Sequence, residues 1–285
     1  LTLCRDANYI QVVEQALDGN GAHGKLERNG RIYELTASSV EENSAWHAAV
    51  LLIVDITERE RAEQQRQEFT ANVSHELKTP LTSIMGYAEI ITGGIAKPED
   101  VVPFAGKIRT EAQRLLALIE DVIDLSRMDE GESFPTEQVD LHEVAVEIAA
   151  QLEPAAEKRG ISLSVEGGPA VMTGVRRLLW EIVWNLADNA IKYGRDGGEA
   201  TIYTEQLPDG GTRLRVKDNG VGIAPEHQTR VFERFYRVDK SHSRATGGTG
   251  LGLSIVKHAA QYHHGQIGLE SSDKGTEITV TFPKE

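Results

Sequence analysis

A single cysteine, Cys4, occurs in 285 residues, which excludes a disulfide framework and any cysteine-rich metal site. Positive charge is scarce as well. Thirty Lys and Arg stand against 44 Asp and Glu, a formal charge of −14 at pH 7. A surface that acidic repels a phosphate backbone and argues against nucleic-acid binding driven by bulk electrostatics. Any phosphorylated ligand must then be held by local donors or a bridging cation. Long apolar runs are missing. The longest, Ala45 to Val54 with His47 inside it, is far short of the ~18–20 residues needed to cross a bilayer. Neither a starting Met nor a signal-peptide pattern is present, and the chain reads as the soluble interior of a longer protein. What is there suffices for folding. Hydrophobic residues make up 40% and charged residues 26%, and the length suits two or three domains of roughly 100–200 residues.

The first stretch is mixed in character. Asn8 to Leu17 suits a short helix with Ile10, Val13, Ala16 and Leu17 on one side, ended by Gly19-Asn20-Gly21. Gly30 to Ala37 and Trp46 to Ile56 read as two strands, the second continuously apolar and therefore expected to be well buried. Two strands alone bury too little to be stable, so residues 1–57 are read as the C-terminal part of a small α+β sensor domain. From Thr57 the composition shifts. Glu58 to Glu68 holds no apolar residue larger than Ala and neither Gly nor Pro, which predicts an exposed helix. It runs into an apolar stripe at Phe69, Val73, Leu77, Leu81, Ile84, Ala88 and Ile91, the seam of a bundle helix. Thr92-Gly93-Gly94 breaks that helix and Pro98 opens a second, whose stripe runs from Phe104 to Leu125. The resulting hairpin, residues 58–130, cannot close a core alone; a dimer would complete a four-helix bundle. Residues 131–139 read as a linker. From 140 to 285 the pattern is a compact α/β one, with helices ending near Gly160, spanning Arg176 to Tyr193 and spanning Leu253 to Tyr262.

His75 is the first candidate for chemistry. On a 3.6-residue period it points away from the apolar seam, and most such histidines are merely solvated. Its neighbours shift the odds. Glu76 can take the proton from one ring nitrogen while the other attacks. Thr79 lies one turn later on the same face. Pro80 removes the amide that would bond the Glu76 carbonyl and is expected to loosen the helix there.

Asn185 and Asn189 lie one turn apart on one face of the Arg176–Tyr193 helix, with Leu178, Ile182, Leu186 and Ala190 on the other. Their amide oxygens suit a hard divalent cation that keeps waters and phosphate, although a pair of exposed polar residues is an equal reading. Asp218-Asn219-Gly220-Val221-Gly222 follows a strand. It is either an ordinary Asn-Gly turn or a carboxylate accepting from a base's amino group beside glycines that let backbone approach the ring. Gly247 to Gly252 opens a helix and offers unpaired amides to phosphate, but it lacks the Lys-Ser/Thr of a P-loop. Between these segments Phe232-Glu233-Arg234-Phe235-Tyr236-Arg237 reads mostly as packing, with Arg237 able to reach a phosphate.

The order of these items says more than any one of them. His75-Glu76-Leu77-Lys78-Thr79-Pro80, the Asn185/Asn189 helix, Asp218 to Gly222, the Phe-rich segment and Gly248-Thr249-Gly250-Leu251-Gly252 resemble the H, N, G1, F and G2 boxes of the sensor histidine kinases of two-component systems. The resemblance runs from about Glu58 to the end, with five motifs in family order. Val54 to Arg59 is similar to the tail of a PAS domain feeding that family's signalling helix. One departure stands out: many members carry Gly-Asp before the long helix, where this chain has Gly174-Val175.

What the resemblance implies is specific. His75 would be autophosphorylated with help from Glu76, and Thr79 would serve dephosphorylation of a partner. Asn189 would hold Mg²⁺ at the phosphates of ATP, with Asn185, Lys192 and Arg237 nearby. Asp218 would read the adenine, Gly220 and Gly222 would shape that wall, and Tyr193 would lie along the base. Gly248, Thr249, Gly250, Leu251 and Gly252 would cover the phosphates. The implied fold is a dimeric helical hairpin plus an α/β-sandwich ATPase domain of the Hsp90/gyrase/histidine-kinase type, preceded by a partial PAS domain. The implied partners are a second copy and the receiver domain of a response regulator, with no nucleic acid, in the cytoplasmic portion of a protein anchored in a membrane by upstream segments. Two rivals are kept in view. A related ATP-driven conformational machine would lack the histidine acceptor, which His75-Glu76 on a bundle helix speaks against. A signalling scaffold with a dead nucleotide site would lack the Asn189, Asp218 and glycine series.

Overall fold

In a computed structural model, residues 6–41, 47–129, 133–238 and 249–284 are described. The chain divides into two compact units, Leu1–Asn72 and Val73–Glu285.

In the first unit, Asp6 caps helix α1 (Ala7–Leu17) by accepting from the amides of Asn8 at 2.9 Å and Tyr9 at 3.2 Å. The helix lies on an antiparallel meander of β1 (Ala22–Arg28), β2 (Arg31–Glu41) and β3 (His47–Asp55). Val12 and Ala16 bury against Ala22, Leu26, Leu35 and Ala37. Three expectations need correction. The sheet has three strands, because β1 was hidden by Gly24 and its charged neighbours. That glycine is required: a Cβ there would sit 2.7 Å from Cγ2 of Val12. Leu17 is exposed and off the packed side of α1. Strand β3 is not well buried. Ala49 and Leu51 pack onto the core, but Val50 and Leu52 on the opposite face are 61% and 58% exposed. A single helix covers only one face of the sheet, and alternate side chains point to opposite faces.

Helix α2 (Thr57–Thr92) starts where Asp55 accepts from the Thr57 amide at 3.0 Å, and it continues without a break through Pro80. The expected loosening at Pro80 therefore does not interrupt the helix. Its exposed charged stretch is laced by Glu63–Arg66 and Gln64–Glu68 contacts at helical spacing.

In the second unit, α3 (Pro98–Asp129) completes the hairpin, and Tyr87 stacks on Phe104 at 5.5 Å near its tip. The α/β portion is a sheet in the order β5 (Ser162–Gly167), β7 (Glu199–Gln206), β8 (Thr212–Asp218), β10 (Gly275–Phe282), β9 (Gln266–Ser272). Only β5 and β7 are parallel. Helices α4 (Leu141–Lys158), α5 (Arg176–Tyr193) and α7 (Gly252–Tyr262) share one core with it, in which Leu178, Ile182 and Leu186 of α5 meet Ile202, Leu214, Val280 and Phe282. Helix α5 has the ends expected from its pattern. Strand β4 (Glu137–Asp140), which pairs with β6 (Val171–Gly174), and the single helical turn α6 (Pro225–Gln228) were not anticipated. Among the described residues, no helix is long and apolar enough to cross a membrane.

Candidate functional site

His75 stands on the outer surface of α2, its side chain 69% exposed, with Nδ1 3.9 Å from Oε1 of Glu76. The Thr79 hydroxyl donates to the His75 carbonyl at 3.2 Å, the local use of threonine that competes with a chemical one. Its lone pairs remain able to accept. Leu77, two residues from His75, turns inward against a cluster of Leu118, Leu125, Leu251 and Ile255.

The second constellation gathers at one end of the sheet. Asp218 ends β8 and accepts from the amides of Gly220 at 2.8 Å and Thr276 at 3.2 Å. Burial pushes its carboxyl above the ordinary range, and those two amides oppose the rise. Gly220 lies against the end of α5: a Cβ there would come within 2.5 Å of the Tyr193 carbonyl and 2.7 Å of Asp218 Oδ1. Gly222 has φ +72°, and a Cβ would fall 1.7 Å from the Ser272 carbonyl, so no other residue fits. Asn219 is used structurally, its Oδ1 accepting from the Glu199 amide at 2.9 Å. Tyr193, Asp218, Gly220 and Gly222 thus form one wall.

Along α5 from that wall come Asn189 and Asn185, both half-buried. Asn185 abuts the start of α7, where a Cβ on Gly252 would lie 2.5 Å from its Oδ1. Lys192 is held by Asp188 at 2.6 Å. Thr249 Oγ1 accepts from the Leu251 amide at 3.2 Å, and Gly250 (φ +76°) takes a hydrogen bond from the Phe235 amide at 2.9 Å. Leu251 is fully buried. Nη2 of Arg237 is buried with no hydrogen-bond partner among the described residues. Gly248 lies outside the described residues.

Comparison with known proteins decides the family. Residues 65–131 match the model of the His Kinase A (phospho-acceptor) domain, and residues 174–285 that of the histidine kinase-, DNA gyrase B- and HSP90-like ATPases. The chain belongs to the sensor histidine kinases of two-component systems. A sensor-like histidine kinase, SenX3 of Mycolicibacterium smegmatis, is 40% identical over 83% of this chain, which spans 62% of that relative's length. The solved Acinetobacter baumannii histidine kinase AdeS is 25% identical, covering 74% of this chain and 98% of its own, with a TM-score of 0.61. The histidine kinase ThkA, solved in complex with the response regulator protein TrrA, shares the fold at 21% identity and TM-score 0.61, covering 98% of this chain and 83% of its own.

In this sensor histidine kinase several contacts around the boxes were not legible beforehand. Val175 gives α5 no side-chain cap; its own amide donates to Nε2 of buried His263 at 2.9 Å, while the other ring nitrogen bonds the Ala259 carbonyl at 2.7 Å. The ring is thereby fixed as neutral, with its proton on Nδ1. Arg234 of the Phe-rich segment reaches Asp129 of α3 at 2.6 Å and His258 of α7 at 2.8 Å. Arg177 of α5 bonds Asp124 of α3. His263 carried no signal that set it apart from its neighbours His258 and His264, and the ionic contacts carried none either.

Proposed function

We propose that this chain is an ATP-dependent protein-histidine kinase whose phosphoryl acceptor is His75. The observation that carries the reading is the joint presence of an exposed histidine beside a carboxylate on a bundle helix and a buried carboxylate-and-glycine wall continuous with Asn185 and Asn189. Bound ATP would supply the γ-phosphoryl group, and Mg²⁺ held with help from Asn189 would offset charge on the phosphates. The residues' own parts are as follows. Glu76 faces Nδ1 of His75 and takes its proton, leaving Nε2 as the attacking atom. A nitrogen–phosphorus bond forms, the bond to the leaving ADP oxygen breaks, and the proton ends on Glu76. Asp218, Gly220, Gly222 and Tyr193 receive the base. Arg237, with Thr249, Gly250, Leu251, Gly252 and Gly248, attends the phosphates, and Lys192 sits at their margin.

The same reading divides the chain into a PAS-like piece (1–57), a dimerisation and phosphotransfer hairpin (58–130), a linker (131–139) whose last residues, Glu137 to Val139, pair with β6 of the domain that follows, and an ATP-binding domain (140–285). The hairpin would work as a homodimer. A response regulator's receiver aspartate would take the phosphoryl group from His75, in keeping with the regulator complex solved for ThkA. Use of ATP puts this portion in the cytoplasm. The test is incubation with γ-labelled ATP, which should yield a base-stable, acid-labile label on the chain; an acid-stable label, or none, overturns the reading.

Thr79 is proposed to serve dephosphorylation of the regulator. Its hydroxyl stands one turn from His75 and can orient a water in line with phosphorus. Thr79→Ala should change self-phosphorylation by less than about twofold while slowing regulator dephosphorylation by roughly tenfold or more. Parallel assays of both reactions decide; an equal fall in the two would make the residue structural.

A further inference from the structure

Helix α3 of the hairpin meets α7 of the ATP-binding domain over an apolar seam and reaches α5 through charged side chains. Leu118 and Leu125 pack with Leu251 and Ile255. At one end, Asp129 is met by Arg234. Beside the seam, Asp124 is 4% exposed and bonded by Arg177. Asp121 lies one turn back from Asp124 on α3, and Glu181 one turn on from Arg177 on α5. Oε2 of Glu181 is buried with no partner among the described residues. Three carboxylates (Asp121, Asp124 and Glu181) therefore act on one another around a single guanidinium, with the exposed Glu120 beside Asp121. One cation cannot offset the repulsion of several carboxylates taken out of water.

The geometry points to proton-linked docking: the ATP-binding domain rests on α3 while Glu181 or Asp121, beside the Asp124–Arg177 pair, holds a proton, and loss of that proton releases the domain. Burial, with Asp124 as the next cause, pushes Glu181 up to about 8 against the pull of Arg177. Burial, with Asp124 and Glu120, pushes Asp121 up to about 7. Released from the interface, both groups would return towards the ordinary values of 4.5 and 3.8. The docked state thus binds more protons, and docking weakens as pH rises between the ordinary and the raised values. The remaining charged groups at this face do not reverse the sign. Burial lowers the Arg177 guanidinium, but its bond to Asp124 more than offsets this and keeps it charged. Burial lowers His258 from its ordinary value of 6.5, an opposing contribution confined to pH near and below that value, and Asp129 has Arg234 as its counterion.

That the freed domain is the one that must reach His75 rests on the kinase reading; the following measurement does not. Amide hydrogen exchange of the intact chain, corrected for intrinsic pH dependence, is followed in segments 118–125 and 251–256. From pH 6.5 to 8.5 the opening equilibrium should rise by roughly 25-fold from Glu181 alone. Glu181→Gln keeps the shape and removes the titration, so most of that rise should vanish, leaving roughly the fourfold due to Asp121. Amides beside Ile202, Leu214 and Val280 in the sheet core should keep constant protection. A wild type flat in pH, an equal slope in the variant, or parallel loss in the sheet core would each overturn the proposal.

Discussion

Self-labelling from ATP is expected to disappear in His75→Gln while nucleotide binding stays within about twofold of wild type. The side chain is largely exposed and makes only a 3.9 Å approach to Glu76, so its loss should move stability by no more than about 0.5 kcal/mol. Glutamine is a good helix former and leaves α2 intact, yet it offers no nucleophilic ring nitrogen. The Asp218 wall lies on different elements of the same unit and should not sense the change. Filter-bound label and calorimetric titration with ATP, run on one preparation, check both halves. Loss of ATP binding in this variant would mean that the two constellations are one structural unit and that the acceptor assignment is wrong.

Asn189→Ala should be nearly as severe for a different reason. Alanine favours helix, and the half-buried position tolerates the smaller side chain, so α5 should persist. What goes is a neutral oxygen proposed to complete the Mg²⁺ shell. Phosphoryl transfer depends mostly on positioning and charge stabilisation, and removing one such group elsewhere costs roughly 10²–10³ in rate. The autophosphorylation rate should fall by about that factor, with the Mg²⁺ concentration for half-maximal rate moving upward. Circular dichroism should be unchanged. A wild-type rate would remove Asn189 from the metal site.

The parts of the fold that were readable are those where periodicity and stop signals agree. Helix α5 carries Leu178, Ile182, Leu186 and Ala190 at even spacing, and Gly194 follows it, so both ends came out where the structure has them. Strand β3 was misjudged because a continuous apolar run looks alike whether two layers cover it or one. Strand β1 was missed because Gly24, placed to let Val12 approach, interrupts the alternation. The boxes were legible through residue identity. The partners that shape them were not, since the Thr276 amide at Asp218 is a backbone group with no residue signature. Asp124 and Glu181 read as ordinary helix-surface charges until the fold brings α3 and α5 together.

The hairpin leaves Leu81, Met85, Leu116, Ile119 and Ile123 between 40% and 58% exposed. If a second copy covers them, as proposed, the stability of α2 and α3 is a second-order quantity, set by how often two chains meet as much as by what each contains. Dilution then acts as a denaturant. The melting temperature of this segment climbs with protein concentration, and the abundance of the protein in the cell becomes one of the inputs to its folding.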